Sequence, residues 1–226
     1  MNNIQNLFQE EANEFDKIFP MLIPFYNEIY TMLAESIPFK NDLPVQILDI
    51  GCGTGTLAEI LKDNFLYAEI TCIDFADNML EIAKNKLKKY PDVKLFKSDF
   101  HKFKPDKKYD VVVSSFALHH IENDFKKVET YRKIYNSLNN NGIFLNADIV
   151  LGANKDIENL AFKKWKQFLG ENFSDVEIEN DLLPRYQTGD NPSKLFNHLK
   201  WLRDIGFKEV ETIWKYYGFT IFAGIK

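Results

Sequence analysis

Apolar residues recur at three- and four-residue steps near the start of the chain, at Phe15, Ile18, Phe19, Leu22, Phe25, Ile29 and Leu33. That period predicts helix over residues 4–37, with one apolar stripe turned to a core. Pro20 and Pro24 interrupt the stripe, so two helical pieces with a bend are expected. From residue 45 the period shortens. The runs VQILDI (45–50), EITCID (69–74), VKLFKS (93–98) and YDVVVSS (109–115) predict buried strands. TLAEILKDNF, ADNMLEIAKNKLKKY and DFKKVETYRKIYNSL, each following one of these strands, predict helices. Asn141-Gly142 then marks a helix end and the start of a fifth strand, IFLNADIV. Strands alternating with helices in this way imply a doubly wound α/β fold, mostly parallel, with right-handed crossovers.

After Val150 the pattern changes. NKDIENLAFKKWKQFLG is an amphipathic helix carrying Leu160, Phe162, Trp165, Phe168 and Leu169, and a polar, turn-rich stretch follows it through LLPRYQTGDNPS. A further helix, KLFNHLKWLRDI, turns Leu195, Leu199 and Leu202 to the core and stops at Gly206. The closing FKEVETIWKYYGFTIFAGIK breaks at Gly218 into two β-like runs, as a terminal antiparallel hairpin would. A single domain over 1–226 is expected: a helical cap (1–40), a core (43–150), a lid insertion (151–192) and a C-terminal helix with hairpin (193–226).

The 226 residues are 45% apolar and 15% aromatic, enough for a large core, which excludes global disorder. A net charge of −5 argues against a nucleic-acid backbone as the main partner. The lysines between Lys84 and Lys108 read as a solvated helix face and loop. Cys52 and Cys72 form no C-x-x-C pair and have no histidine at ligand spacing, so they are expected as reduced thiols. The acidic amino terminus lacks the basic and apolar regions of a signal peptide, and no apolar run nears the roughly 20 residues of a membrane span. A cytoplasmic protein without membrane attachment is expected.

The chemistry centres on ILDIGCGTGTL (47–57), where Gly51, Gly53 and Gly55 follow a strand and precede a helix. Such a turn brings backbone and helix N–H groups close to a ligand. A dinucleotide site uses G-x-G-x-x-G, whereas here the third glycine comes one residue early. Asp49 would also repel a diphosphate and attract a cation. Both features disfavour a nicotinamide dehydrogenase. S-adenosylmethionine, with an ammonium, a sulfonium and no phosphate, suits them better.

ILDIGCGTGTL resembles the first motif of the class I S-adenosylmethionine-dependent methyltransferases. The resemblance continues in register with CIDFADNMLEIAK, SDFHKF, YDVVVSSFALHHI and YNSLNNNGIFLNAD, and again in the closing WLRDIGFKEVETIWKYYGFTIFAGIK of small-molecule members. It covers residues 43–150 and 195–226, and implies a seven-stranded sheet with methyl transfer to a small-molecule acceptor. S-adenosylhomocysteine would be the product. By the same resemblance Asp49, Gly51, Cys52, Gly53 and Gly55 would hold the methionine part, and Asp74 the ribose hydroxyls. Phe75 would lie against the adenine, Asp99 beside its amino group and Ser115 on the cofactor face, with Met79 and Phe100 also among the cofactor-binding residues. Read without the resemblance, Asp74 serves equally as a cap for the next helix.

Candidates for work on the acceptor are His119, His120 and Arg185. The histidines follow the fourth strand, where the cleft of such folds opens. Neighbouring rings are not expected to converge on one ion and no third ligand is evident, so no metal site is expected. Arg185, in a polar turn after Pro184, could pair with an acceptor carboxylate or phosphate, or simply with a lid acid. Trp165 and its aromatic neighbours read as helix packing or as an acceptor wall. Rival functions are modification of S-adenosylmethionine itself, a tRNA or protein acceptor, and a binding protein without catalysis.

Overall fold

In the computed structural model, which describes residues 15–99, 102–105 and 107–226, the amino-terminal stripe forms two helices. These are α1 (Phe15–Leu22) and α2 (Tyr26–Glu35), and the bend between them falls at Phe25, whose φ is 60°. Pro20 lies inside α1 rather than ending it, and the Ile23 N–H still donates to the Phe19 carbonyl at 3.0 Å. The expected helix over residues 4–14 lies outside the described residues.

The alternating runs form β1 (Gln46–Ile50), α3 (Thr56–Asn64), β2 (Glu69–Asp74), α4 (Asp77–Leu87), β3 (Val93–Lys97) and β4 (Tyr109–Ser115). They continue through α5 (Asp124–Ser137) into β5 (Leu138–Ile149). Beyond β5 come α6 (Lys155–Leu169), a short α7 (Asp175–Glu177), a π turn over Ile178–Leu182, α8 (Leu183–Gly189) and α9 (Leu195–Ile205). The chain closes with β6 (Lys208–Tyr216) and β7 (Phe219–Ile225). The seven strands lie in the order β3-β2-β1-β4-β5-β7-β6. The first five pair in parallel, and β7 runs antiparallel to both β5 and β6.

β1 and β4 are buried along most of their length because helices cover both faces of the sheet, which is why they read as unbroken apolar runs. One core face gathers Leu33, Leu57, Leu61, Val113 and Leu145, and the other Ile50, Tyr131, Phe144, Leu202 and Phe222. From β1 the chain winds outward to β2 and β3, and then returns to β4 on the other side. That reversal leaves a crevice beyond the carboxyl ends of β1 and β4.

Two local expectations are corrected. The fifth strand starts at Leu138, ahead of Asn141-Gly142, because buried Leu138 already pairs with Tyr109 across a register shift. The turn expected at Asn141-Gly142 survives as an irregularity inside the strand, with Asn141 at φ 62°. The stretch LLPRYQTG is helical, not a polar turn. Pro184 sits in the first turn of α8, where its missing N–H costs nothing. Among the described residues no helix is long and apolar enough to cross a membrane.

Candidate functional site

Three glycines shape the turn after β1, each differently. Gly51, Gly53 and Gly55 all have left-handed φ, at 70°, 53° and 81°. The Gly51 and Cys52 N–H groups donate to the Ile73 carbonyl at 2.8 and 3.1 Å, tying the turn to β2. A Cβ on Gly55 would stand 2.7 Å from Leu87 Cδ1, so this glycine lets α3 start tight against α4. Among the described residues a Cβ on Gly53 would meet nothing within 4 Å, so there Gly53 opens onto free space. That space is a cleft lined by the turn, by Asp74, Phe75 and Met79 after β2, and by Ser115 and Phe116 after β4.

Asp74 is bound on both oxygens. Oδ2 accepts from Gly53 N–H and Oδ1 from Ala76 N–H, each at 2.9 Å. Burial raises its pKa, and these backbone donors offset only part of the rise. Asp49 is different. It has no exposed surface, and neither carboxylate oxygen has a hydrogen-bond partner among the described residues. Burial, then the charge of Asp74, pushes its pKa up to about 8. A buried carboxylate without donors is a strong draw for a cation, so the pair fits a ligand with an ammonium at one end and hydroxyls at the other.

The amino-terminal helices roof this cleft. Phe15 and Phe19 stack with ring centroids 3.9 Å apart, and Tyr26 and Tyr30 lie 4.6 Å apart beside Ser115. Asp16 clasps α1 to the glycine turn, accepting from Thr54 Oγ1 at 2.5 Å and from Lys86 Nζ at 2.6 Å. No sequence pattern marked this clasp, because its three members are far apart in the chain.

A second cleft adjoins the first and shares Phe15, Phe19, Phe116 and His120 with it. Its walls are largely apolar, with Trp165, Phe173, Tyr186 and Phe219 among them, and Glu177, Asp181 and Arg185 line it too. Trp165 also packs structurally, donating from Nε1 to the Leu22 carbonyl at 2.8 Å. At the seam of the clefts His119 and His120 form a 3₁₀ turn after β4, and their ring centroids are 4.0 Å apart. His119 Nδ1 meets Asp148 Oδ1, at the end of β5, at 2.5 Å. On the other side, Asp190 Oδ1 lies 3.5 Å from His119 Nε2 and 3.1 Å from His120 Nδ1. Burial alone would lower the His119 pKa, but Asp190 and Asp148 together raise it to about 10. Asp190, despite its burial, is held well below the usual carboxylate range by the two histidines. Neighbouring histidines were not expected to converge, nor was a third group evident. The 3₁₀ turn brings both rings to Asp190, a third group that the sequence did not reveal.

Residues 48–144 match the family model described as a methyltransferase domain. The carboxy-S-adenosyl-L-methionine synthase of Nautilia profundicola is 28% identical over 236 residues, covering 96% of this chain and 93% of its own. The chain is therefore similar to the class I S-adenosylmethionine-dependent methyltransferases in sequence and shares their fold. The malonyl-[acyl-carrier protein] O-methyltransferase of Halalkalibacterium halodurans is 30% identical over 146 residues, 63% of this chain and 53% of its own. The N-methyltransferase NodS of Bradyrhizobium japonicum, solved with S-adenosyl-L-homocysteine, superposes with a TM-score of 0.71. That alignment covers 99% of this chain and 98% of NodS, and at 14% identity it speaks for the fold alone. This methyltransferase is an enzyme with S-adenosylmethionine as its cofactor.

Of the residues singled out in its sequence, Gly51, Cys52, Gly53, Asp74, Phe75, Met79 and Ser115 line the first cleft. Asp49 is buried at the end of β1, and Gly55 packs behind the turn. Asp99 is not among the lining residues. Its carbonyl accepts the Lys102 and Phe103 N–H groups at 2.9 Å each, which makes it the pivot of the turn after β3. Phe100 lies outside the described residues. His120 lines both clefts, while His119 and Arg185 line the second. Asp190 had no signal in the sequence: it sits 71 positions from His119 in a segment without a motif.

Proposed function

We propose that this methyltransferase transfers the methyl group of S-adenosylmethionine to a small acceptor with an apolar body and one polar head. The body lies in the second cleft, and the head faces His119, His120 and Asp190. The single observation that supports this most is the seam, where the two clefts meet at Phe116 and His120 beside a buried polar cluster. On this reading Asp49 takes the ammonium of the cofactor, the glycine turn its methionine part and Asp74 its ribose. Phe75 and Met79 take its adenine, and the sulfonium methyl points toward the fourth and fifth strands. The methyl carbon already bears a good leaving group, the sulfonium sulfur that departs as the thioether of S-adenosylhomocysteine, so the protein has mainly to align the acceptor in line with that C–S bond and exclude water. The apolar walls perform the exclusion.

One observation favours a second reading, formation of carboxy-S-adenosylmethionine: the relatives so named match 95–100% of this chain. A carboxylate on the sulfonium would face Asp190 across the seam, which weighs against it. Arg185 in the second cleft is the group that would pair with such a carboxylate. The two readings separate by mass spectrometry after incubation with S-adenosylmethionine and a metabolite extract. Methyl transfer yields S-adenosylhomocysteine and a methylated acceptor. Carboxylation yields a nucleoside heavier by one carboxyl group, and that outcome would replace the first reading. With the acceptor identified, His119→Ala, His120→Ala and Arg185→Ala are each expected to keep cofactor affinity within a few-fold, and at least one to stop transfer. Full turnover in all three would move the acceptor elsewhere in the cleft.

A further inference from the structure

We infer that His119, His120 and Asp190 bind one divalent transition-metal cation at the seam of the two clefts. Among the described residues these three side chains stand together, with one ligand atom from each inside 4.8 Å of the other two. The 3.1 and 3.5 Å separations from Asp190 Oδ1 bracket the roughly 3.4 Å expected between two ligands each about 2.1 Å from one tetrahedral ion. Two imidazoles and one carboxylate leave further coordination positions, and a site of that composition suits zinc, cobalt or iron in the divalent state.

The surroundings match what a metal-binding histidine needs. His119 can ligate through Nε2 because its Nδ1 is already engaged by Asp148 at 2.5 Å, and Asp148 is itself fixed by Asn146 Nδ2 at 3.1 Å. A carboxylate behind the ring sets the tautomer and orientation of a ligating imidazole. The loop bearing Asp190 is pinned as well. Asn191 N–H donates to the His119 carbonyl at 2.9 Å, and Asp190 N–H to the Tyr186 carbonyl at 3.2 Å. Buried Lys127 holds the same loop through the Asn191 carbonyl and, at 2.7 Å, Ser193 Oγ. The three ligands thus come from two segments joined by the Asn191–His119 backbone hydrogen bond, so little ordering is left for the ion to impose. An ordinary surface ion pair has no such support.

His119, His120 and Asp190 all line the second cleft. Acting as a template, a cation there would grip oxygen or nitrogen donors on the polar head of the acceptor. That role rests on the proposed function; ion binding does not.

The test uses untagged, chelator-stripped full chain with neither S-adenosylmethionine nor acceptor. Zinc is titrated by calorimetry, and cobalt by its visible absorption. One ion per chain is expected, with a cobalt spectrum of nitrogen and oxygen ligation. Asp148→Asn is expected to weaken binding by roughly 10- to 100-fold, as loss of a supporting partner does. His120→Ala and Asp190→Asn should each remove the spectrum while the ion-free melting transition stays cooperative. If Asp190→Asn fails to fold, His120→Ala carries the test. No uptake by the wild type at millimolar ion overturns the inference, and so does uptake unchanged in the folded ligand variants. Since no methyl donor is present, these outcomes stand apart from any result on transfer.

Discussion

Asp74→Ala is expected to weaken S-adenosylmethionine binding by roughly 10- to 150-fold, the equivalent of losing on the order of 1.5–3 kcal/mol in charge-assisted hydrogen bonds. The oxygens of Asp74 accept backbone N–H groups, Gly53 on one and Ala76 on the other, and retain lone pairs for the ribose hydroxyls. The same carboxylate therefore shapes the glycine turn and meets the ligand. Its removal also leaves the Gly53 and Ala76 N–H groups without their acceptor, so the ligand-free protein should melt at a lower temperature. Asp74→Asn keeps one acceptor oxygen and should lie between the two. Calorimetry on folded variants checks this. Unchanged affinity in Asp74→Ala would reduce Asp74 to a clasp between the turn and α4.

For Asp49 the expected effects on stability and binding have opposite signs. The folded state raises the carboxyl from its ordinary range to about 8, chiefly through burial. A carboxyl whose pKa is raised on folding binds more protons folded than unfolded. Its stability contribution is therefore full below the unfolded pKa of about 3.9 and declines as pH climbs toward 8. Asp49→Asn escapes that decline. Without ligand the variant should melt above the wild type at pH 7–8, by at least ~2–4 °C, the shift that about 1 kcal/mol gives a chain of this size. The advantage should shrink toward pH 4. Toward S-adenosylmethionine the same variant should lose roughly 10-fold or more in affinity, because the ammonium loses its counter-charge. Thermal melts with and without ligand across this pH range measure both effects. A variant that binds as well as the wild type would remove Asp49 from the cofactor site.

The order of elements was legible because burial leaves a period in the sequence. β1 and β4, covered on both faces, read as apolar runs, and α3 and α4 as stripes between them. Gly51, Gly53 and Gly55 were legible for a different reason, since a left-handed turn at a strand end leaves few alternatives to glycine. The strand start at Leu138 was not, because a helix ending in a buried leucine carries no glycine signal. Nor was α8, whose polar residues hide a helix around Pro184. The cleft seam was half legible. His119 and His120 followed a strand end and stood out, whereas Asp190 joins them only through tertiary contacts across the lid segment. Long-range polar clusters have no period, so the Asp16 clasp and the Asp190 contact emerge only in three dimensions.

A crystal structure of the full chain with S-adenosylmethionine tests the central claim most directly, because it shows where the transferable methyl points without the acceptor being known. The account predicts the ammonium nearest Asp49, the ribose hydroxyls on Asp74, and the sulfonium methyl at the seam between Phe116 and His120, facing the second cleft. A methyl turned away from that seam, or a ribose bound away from Asp74, would contradict it.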